Sequence, residues 1–158
     1  MENTQFPNLR AALESYAGAV AEMYQQRLIS SDRVASRFLL DNVTWQIREG
    51  DAEWQVVLRL ADYWKYVENG TRPHWPPRAA ILSWIRAKRL VPKPDKRGKL
   101  PTEQQLSFLI ARKISREGTK GSRDIGKTLD ALNAVYRKTI VAAVMKDLDA
   151  GIRAVLFR

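Results

Sequence analysis

The sequence predicts an α+β domain: a small antiparallel sheet built on one central hairpin, packed by a long N-terminal helix and by further helices. Three observations predict it. Apolar residues recur at helical spacing over residues 9–24, the period falls to 2 over residues 43–60, and it returns to the helical value over most of the remainder. With 158 residues and 45% apolar content, the chain can bury one real core and is short for two. The expected organisation is one domain over residues 1–118 and a C-terminal helical extension over residues 119–158.

Leu9, Leu13, Tyr16, Val20, Met23 and Tyr24 form one stripe, predicting a first helix of about twenty residues. Ser30, Ser31 and Asp32 bring capping chemistry, and residues 34–40 are read as further turns before the chain extends. Val43, Trp45 and Ile47 then alternate with Thr44, Gln46 and Arg48. Glu49-Gly50-Asp51 supplies a turn, after which Trp54, Val56, Leu58 and Leu60 form the apolar side of a second strand. Two strands alone are marginal in water, so the Trp45 and Trp54 face needs a cover, most simply the first helix. The polar face is left for solvent or a neighbouring subunit's strand.

Residues 61–68 are expected to form a short amphipathic helix ended by Asn69-Gly70, since Gly takes the left-handed conformation just past a helix terminus. Tyr63, Tyr66 and Val67 share one face, expected under the hairpin, so truncating Tyr66 to Ala would cost about 3–5 kcal/mol. Pro73, Pro76 and Pro77 make residues 71–77 a stiff extended connector, and a helix opening at Pro77 would bury Ile81, Trp84 and Ile85. Leu100-Pro101-Thr102 starts another helix: Thr102 and Gln105 have capping-box spacing, and Leu106, Leu109, Ile110 and Ile114 form the expected buried stripe. A Gly-rich loop, residues 118–122, ends it.

The last helix carries two stripes. Leu129, Leu132, Tyr136 and Ile140 lie on one side, with Val144, Leu148, Ile152 and Val155 roughly a quarter turn round. A second face without an intrachain partner is what a subunit contact looks like.

The order hairpin, Asp62-Tyr63-x-x-Tyr66-Val67-Glu68-x-Gly70-Thr71-Arg72-Pro73, then Pro76-Pro77 and a helix bearing Trp84, resembles the tail-completion proteins of long-tailed bacteriophages, also called head-tail joining or neck proteins. The resemblance runs from the N-terminal helix to about Gly118. It implies a non-enzymatic structural virion protein without cofactors. It further implies a ring homo-oligomer, hexamer or dodecamer, around the DNA channel. Its neighbours would be portal or adaptor proteins on one side and tail tube or terminator proteins on the other. Genomic DNA would pass through, and the protein would be made in the host cytoplasm.

The residues add their own constraints. The chain lacks Cys, which excludes disulfides, thiolate nucleophiles and Cys metal sites. No run of 18 apolar residues predicts a membrane span. His74 is the single His, and the carboxylates do not converge, so catalysis and metal binding are not expected. Gly121 to Thr128 matches Gly-x-x-x-x-Gly-Lys-Ser/Thr, but residues 106–117 before it have helical periodicity, so a hinge is expected in place of a nucleotide cradle.

A net charge of +10 points to a polyanionic neighbour. Arg86, Lys88, Arg89, Lys93, Lys96, Arg97 and Lys99, against Asp95, form a basic loop that reads either as solvated surface or as a contact to channel DNA or an acidic partner. Glu68, Thr71, Arg72, His74 and Trp75 lie at a helix end and on the connector, outside any core stripe. Trp beside Arg is interface-anchor composition, so these five are the expected subunit or neighbour contacts. From a different class comes the alternative of a basic, non-enzymatic DNA-binding accessory protein.

Overall fold

The computed structural model describes residues 6–31, 37–50, 53–94, 96 and 98–157. Pro7 opens α1 (Pro7–Ser30), where its missing N–H costs nothing because the first N–H groups of a helix have no intrahelical acceptor. The last helix, α6 (Asp124–Leu156), runs antiparallel along it: Asn8 meets Asp147, Tyr16 meets Asn133 and Tyr136, and Ser31 meets Asp124. Ala12, Ala17, Ala21 and Ala143 are buried, and such small residues let the helix backbones close up around Leu13, Val20 and Leu132. Residues 119–158 are therefore not an extension appended to a finished domain. Their helix α6 supplies one wall of its core, lying along α1.

The hairpin is antiparallel, as expected. In β1 (Thr44–Glu49) and β2 (Trp54–Arg59), Trp45 faces Leu58 and Ile47 faces Val56, so the apolar residues of both strands share one side. Gly50 N–H donates to the Glu53 carbonyl at 3.0 Å, while Asp51 of the turn lies outside the described residues. α1 packs on this sheet as well as on α6, so it is buried on two sides. The cover is partial, leaving Trp45 39% exposed. A short helix, α2 (Phe38–Asp41), sends Leu39 and Leu40 into a cluster with Tyr24, Leu28 and Ala61. Asp32 and residues 34–36, read as capping and further turns, lie outside the described residues.

After the hairpin, α3 (Trp64–Asn69) turns a different face inward from the expected one. Trp64 and Val67 pack on the core cluster, whereas Tyr66 is 64% exposed and Tyr63 stacks on the exposed Phe38 at 6.2 Å. A core role for Tyr66 is thus overturned. The helix begins only at Trp64, and the strand delivers it with the 64 and 67 positions against Ala61.

α4 (Arg78–Ala87) and α5 (Glu103–Glu117) form a helical hairpin. The capping box is present: Gln105 N–H donates to Thr102 Oγ1 at 3.2 Å and Thr102 N–H to Gln105 Oε1 at 3.0 Å. The buried positions of α5 are Ser107 and Ala111, with Leu109 51% exposed and Leu106, Ile110 and Ile114 only half-buried. Small residues at i, i+4 bring the α4 backbone close, which moves the expected stripe of larger residues to the flanks. On α4, Ile85 is buried, Ile81 is half-buried and Trp84 is 40% exposed.

A second, unexpected sheet joins these parts. β3 (Gly70–Thr71) pairs antiparallel with β4 (Thr119–Lys120). Gly70 (φ 76°) and Gly118 (φ 70°) face each other's strands, and a Cβ on either would collide with the opposing backbone, so this clasp requires glycine at both positions. Next to it, Ser122 N–H donates to the Val67 carbonyl and Arg123 N–H to the Glu68 carbonyl, at 3.0 and 3.1 Å.

Both long helices borrow an acid as cap. Glu68 Oε2 accepts Ile125 N–H and its Oε1 accepts Gly126 N–H, each at 2.9 Å, at the start of α6. Asp147 Oδ1 accepts Asn8 N–H and Nδ2–H, and Oδ2 accepts Leu9 N–H, at the start of α1. Each carboxylate satisfies orphan donors and sits at the positive end of a helix dipole. Burial alone would raise the Asp147 pKa, but the Asn8 side-chain and the Leu9 and Asn8 backbone donors outweigh it and hold the carboxyl below its usual range.

Glu68→Ala is expected to cost about 1–2 kcal/mol, a fall in Tm of about 3–8 °C, whereas Tyr66→Ala should change stability by no more than about 0.5 kcal/mol; thermal melts of both variants check the order. For Asp147 the folded pKa lies below the unfolded value near 3.9, so its stabilisation is complete above that pH and is lost as pH falls through the folded pKa. Tm measured against pH should therefore fall more steeply below about pH 4 in the parent than in Asp147→Asn.

Candidate functional site

The clasp decides what the connector presents. Pro73, Pro76 and Pro77 fix its φ angles, Pro76 is buried, and the His74 ring nitrogen Nδ1 lies 2.9 Å from the Arg72 carbonyl. The Trp75 ring meets Phe108 of α5 edge-on at 5.8 Å and still keeps 53% of its surface exposed. Arg72, His74 and Trp75 thus share one exposed, stiff segment, as the sequence predicts.

Glu68 and Thr71 do not join them. Glu68 spends both carboxylate oxygens on α6, and Thr71 belongs to β3, with its hydroxyl 3.0 Å from that of Thr119. Both make internal contacts instead of standing free for a neighbour, because each meets an element some fifty residues further along the chain, Glu68 the start of α6 and Thr71 the strand β4. Behind the connector lies an open apolar cavity of about 590 Å3 between α3, the clasp and the α4–α5 hairpin, lined by Tyr63, Tyr66, Ile81, Trp84 and Ile114. The exposed aromatic rings of α3 and α4 are therefore neighbours, a juxtaposition that spacing within either helix does not reveal.

The Gly121–Thr128 segment has its polar groups already engaged. A strand does precede it, the two-residue β4, contrary to expectation. Yet the N–H of Gly126 and Ile125 are taken by Glu68, Lys127 Nζ donates to the Ser122 carbonyl at 2.9 Å, and the buried Thr128 hydroxyl donates to the Asp124 carbonyl at 2.7 Å. A carboxylate already stands where a phosphate would, and a second anion there would meet like charge.

The basic residues disperse. Arg86 is on α4 and pairs with Glu103 at 2.9 Å, so it is an α4–α5 tie in place of a loop contact. Lys88 is half-buried. Arg89 (φ 49°) ends the helix, and it is exposed together with Lys93, Lys96 and Lys99. Arg97 lies outside the described residues. Lys93 and Lys99 border an open groove of about 960 Å3 with Thr102, Phe108 and Arg78. Arg78 was missed in the sequence because it precedes the basic run and only the return of the α4–α5 hairpin brings it there.

A further exposed surface lies on the far half of α6. Of the expected second stripe, Leu148, Ile152 and Val155 are exposed, Val144 is half-buried, and Val141 and Met145 join on the open side. Among the described residues no group of His, Asp and Glu is arranged to hold a metal ion, and no helix is long and apolar enough to cross a membrane.

No family model, curated protein or solved structure matches this chain.

With the α6 N-terminus already occupied, millimolar ATP or GTP with Mg2+ should leave the Tm unchanged, and Lys127→Ala should behave like the parent in the same titration. A nucleotide-dependent rise in Tm lost in Lys127→Ala would contradict the assignment of that terminus to Glu68.

Proposed function

We propose that this protein is a structural subunit of the head-tail junction of a long-tailed bacteriophage, forming a ring with copies of itself between portal-side and tail-side neighbours. One observation carries the reading. Part of the segment behind the resemblance, Val67 to Thr71, forms a clasp from which Arg72, His74 and Trp75 stand at the surface. A preorganised, half-exposed Trp beside Arg on a proline-stiffened segment loses little conformational freedom on binding, which is the chemistry of a protein contact. The cavity behind it is open and mainly apolar, suited to another protein chain. The basic residues left exposed on the loop suit a channel through which DNA of any sequence passes, since contacts to phosphate carry no sequence information.

The double variant Arg72→Ala/Trp75→Ala should melt within a few degrees of the parent, since both side chains are exposed, and should fail to enter particles or rings seen by electron microscopy. Normal incorporation would return the connector to ordinary loop.

The accessory DNA-binding reading rests on the groove beside Arg78, Lys93 and Lys99. It predicts tight DNA binding by the isolated protein. Arg78→Gln/Lys93→Gln should then lower the log–log salt slope by about 1.8, while Arg86→Gln, already paired, leaves it unchanged. In the head-tail reading isolated binding is weak, because strong binding would obstruct passage.

A further inference from the structure

We infer that the C-terminal half of α6 is a pairing surface for a second copy of this chain, antiparallel, with Met145 set against Leu148 and Val141 against Ile152. Val141, Met145, Leu148, Ile152 and Val155 are spaced 4, 3, 4 and 3 apart, the alternation that keeps a seam facing a partner helix over two heptads. They are 44–77% exposed. α1 covers the adjacent side, where Ala143 and Asp147 are buried and Ile140 and Val144 half-buried, so the seam is a second face and not a loose edge of the core.

Area and charge both favour a copy of the same chain. The seam is roughly 21 Å long, and its five side chains expose on the order of 500 Å2. Two copies would bury about 1,000 Å2 from these residues alone and, with flanking atoms, reach the lower bound of specific interfaces near 1,200 Å2. The chain carries +10, yet residues 141–155 hold Lys146 and Arg153 against Asp147 and Asp149, a net of zero. Two copies can meet here without net repulsion, and a polyanion finds nothing to attract it. Arg153 is already paired with Asp149 on its own helix, at 2.8 Å. The flanking Ala142 and Gly151 are small, and among the described residues a Cβ at Gly151 would meet open space, while Phe6 borders the groove beside Leu148, Ile152 and Val155 at one edge of the seam.

Charge also sets the direction. One step before Val141 the seam position is Lys138. Parallel pairing would stack Lys138 on its counterpart in the partner. Antiparallel pairing places it at the rim beside Val155, where its stem can lie on apolar surface and its ammonium reach water. It also puts the two basic bodies at opposite ends. The pairing does not depend on the head-tail reading, since a ring built through the connector and a pair built through α6 fail in different variants.

Sedimentation equilibrium of the full chain between about 1 and 100 µM tests it. The expected result is a dimer in the micromolar range, weakened at least tenfold by Leu148→Lys with an unchanged circular dichroism spectrum. Because the chain has no Cys, introduced pairs report the register. Val141→Cys/Ile152→Cys should be joined between chains by a short bis-maleimide, and Ile152→Cys alone should not. A monomer throughout the range, a dimer indifferent to Leu148→Lys, or equal cross-linking of Ile152→Cys alone would overturn the proposal.

Discussion

The Glu68 carboxylate at the start of α6 is the interaction on which most of the tertiary arrangement depends. α6 is 33 residues long, and the residue at its N-cap, Arg123, has left-handed geometry and offers no side-chain acceptor. The free N–H groups and the dipole of so long a helix need an acid from elsewhere, and α3 supplies it. Once Glu68 is in place, the Val67 and Glu68 carbonyls lie within reach of Ser122 and Arg123, and Gly70 can slide against β4. One side chain thus brings the ends of α3, α5 and α6 to a single point. The buried Tyr24 phenol lies beneath it, its pKa pushed up by burial and then by the nearby Glu68 and Asp124 carboxylates, so it stays neutral.

The other end of the α1–α6 pair repeats the device. Asp147, 5% exposed, is tolerable there because three donors from Asn8 and Leu9 compensate its desolvation. The contact also fixes how far the helices overlap. Asp147 meets the first turn of α1, so the residues of α6 that follow it run past the end of that helix. Within the described residues, the apolar positions 148, 152 and 155 are left uncovered as a result. Val141 and Met145, which precede Asp147, are exposed for a different reason: they lie on the face of α6 turned away from α1.

The same economy shapes the connector. The connector is ordered by three prolines on one side and a glycine-dependent clasp on the other, which leaves its backbone little freedom. Trp75 rests on Phe108 and keeps half its surface free. The α4–α5 hairpin, tied by Arg86 and Glu103, holds the platform steady.

Sequence alone determined the features whose causes are local. The hairpin over residues 43–60, the long first helix, the helix stop at Gly70 and the Thr102–Gln105 capping box follow from periodicities and contacts within a few residues of each other, and all stand in the structure. The stiffness of residues 71–77 was legible for the same reason, since proline fixes its own backbone. What required the tertiary structure was every assignment whose partner lies far along the chain. Glu68 could not be told from a surface acid without Ile125 beside it, nor Thr71 from a loop residue without Thr119. Trp64 replaced Tyr66 in the core because the direction in which β2 delivers α3 chooses the buried face. Ser107 and Ala111 replaced the larger residues of α5 because close backbone approach favours small side chains. Periodicity says that a helix has an inner side. Which side is inner is decided by what arrives to cover it.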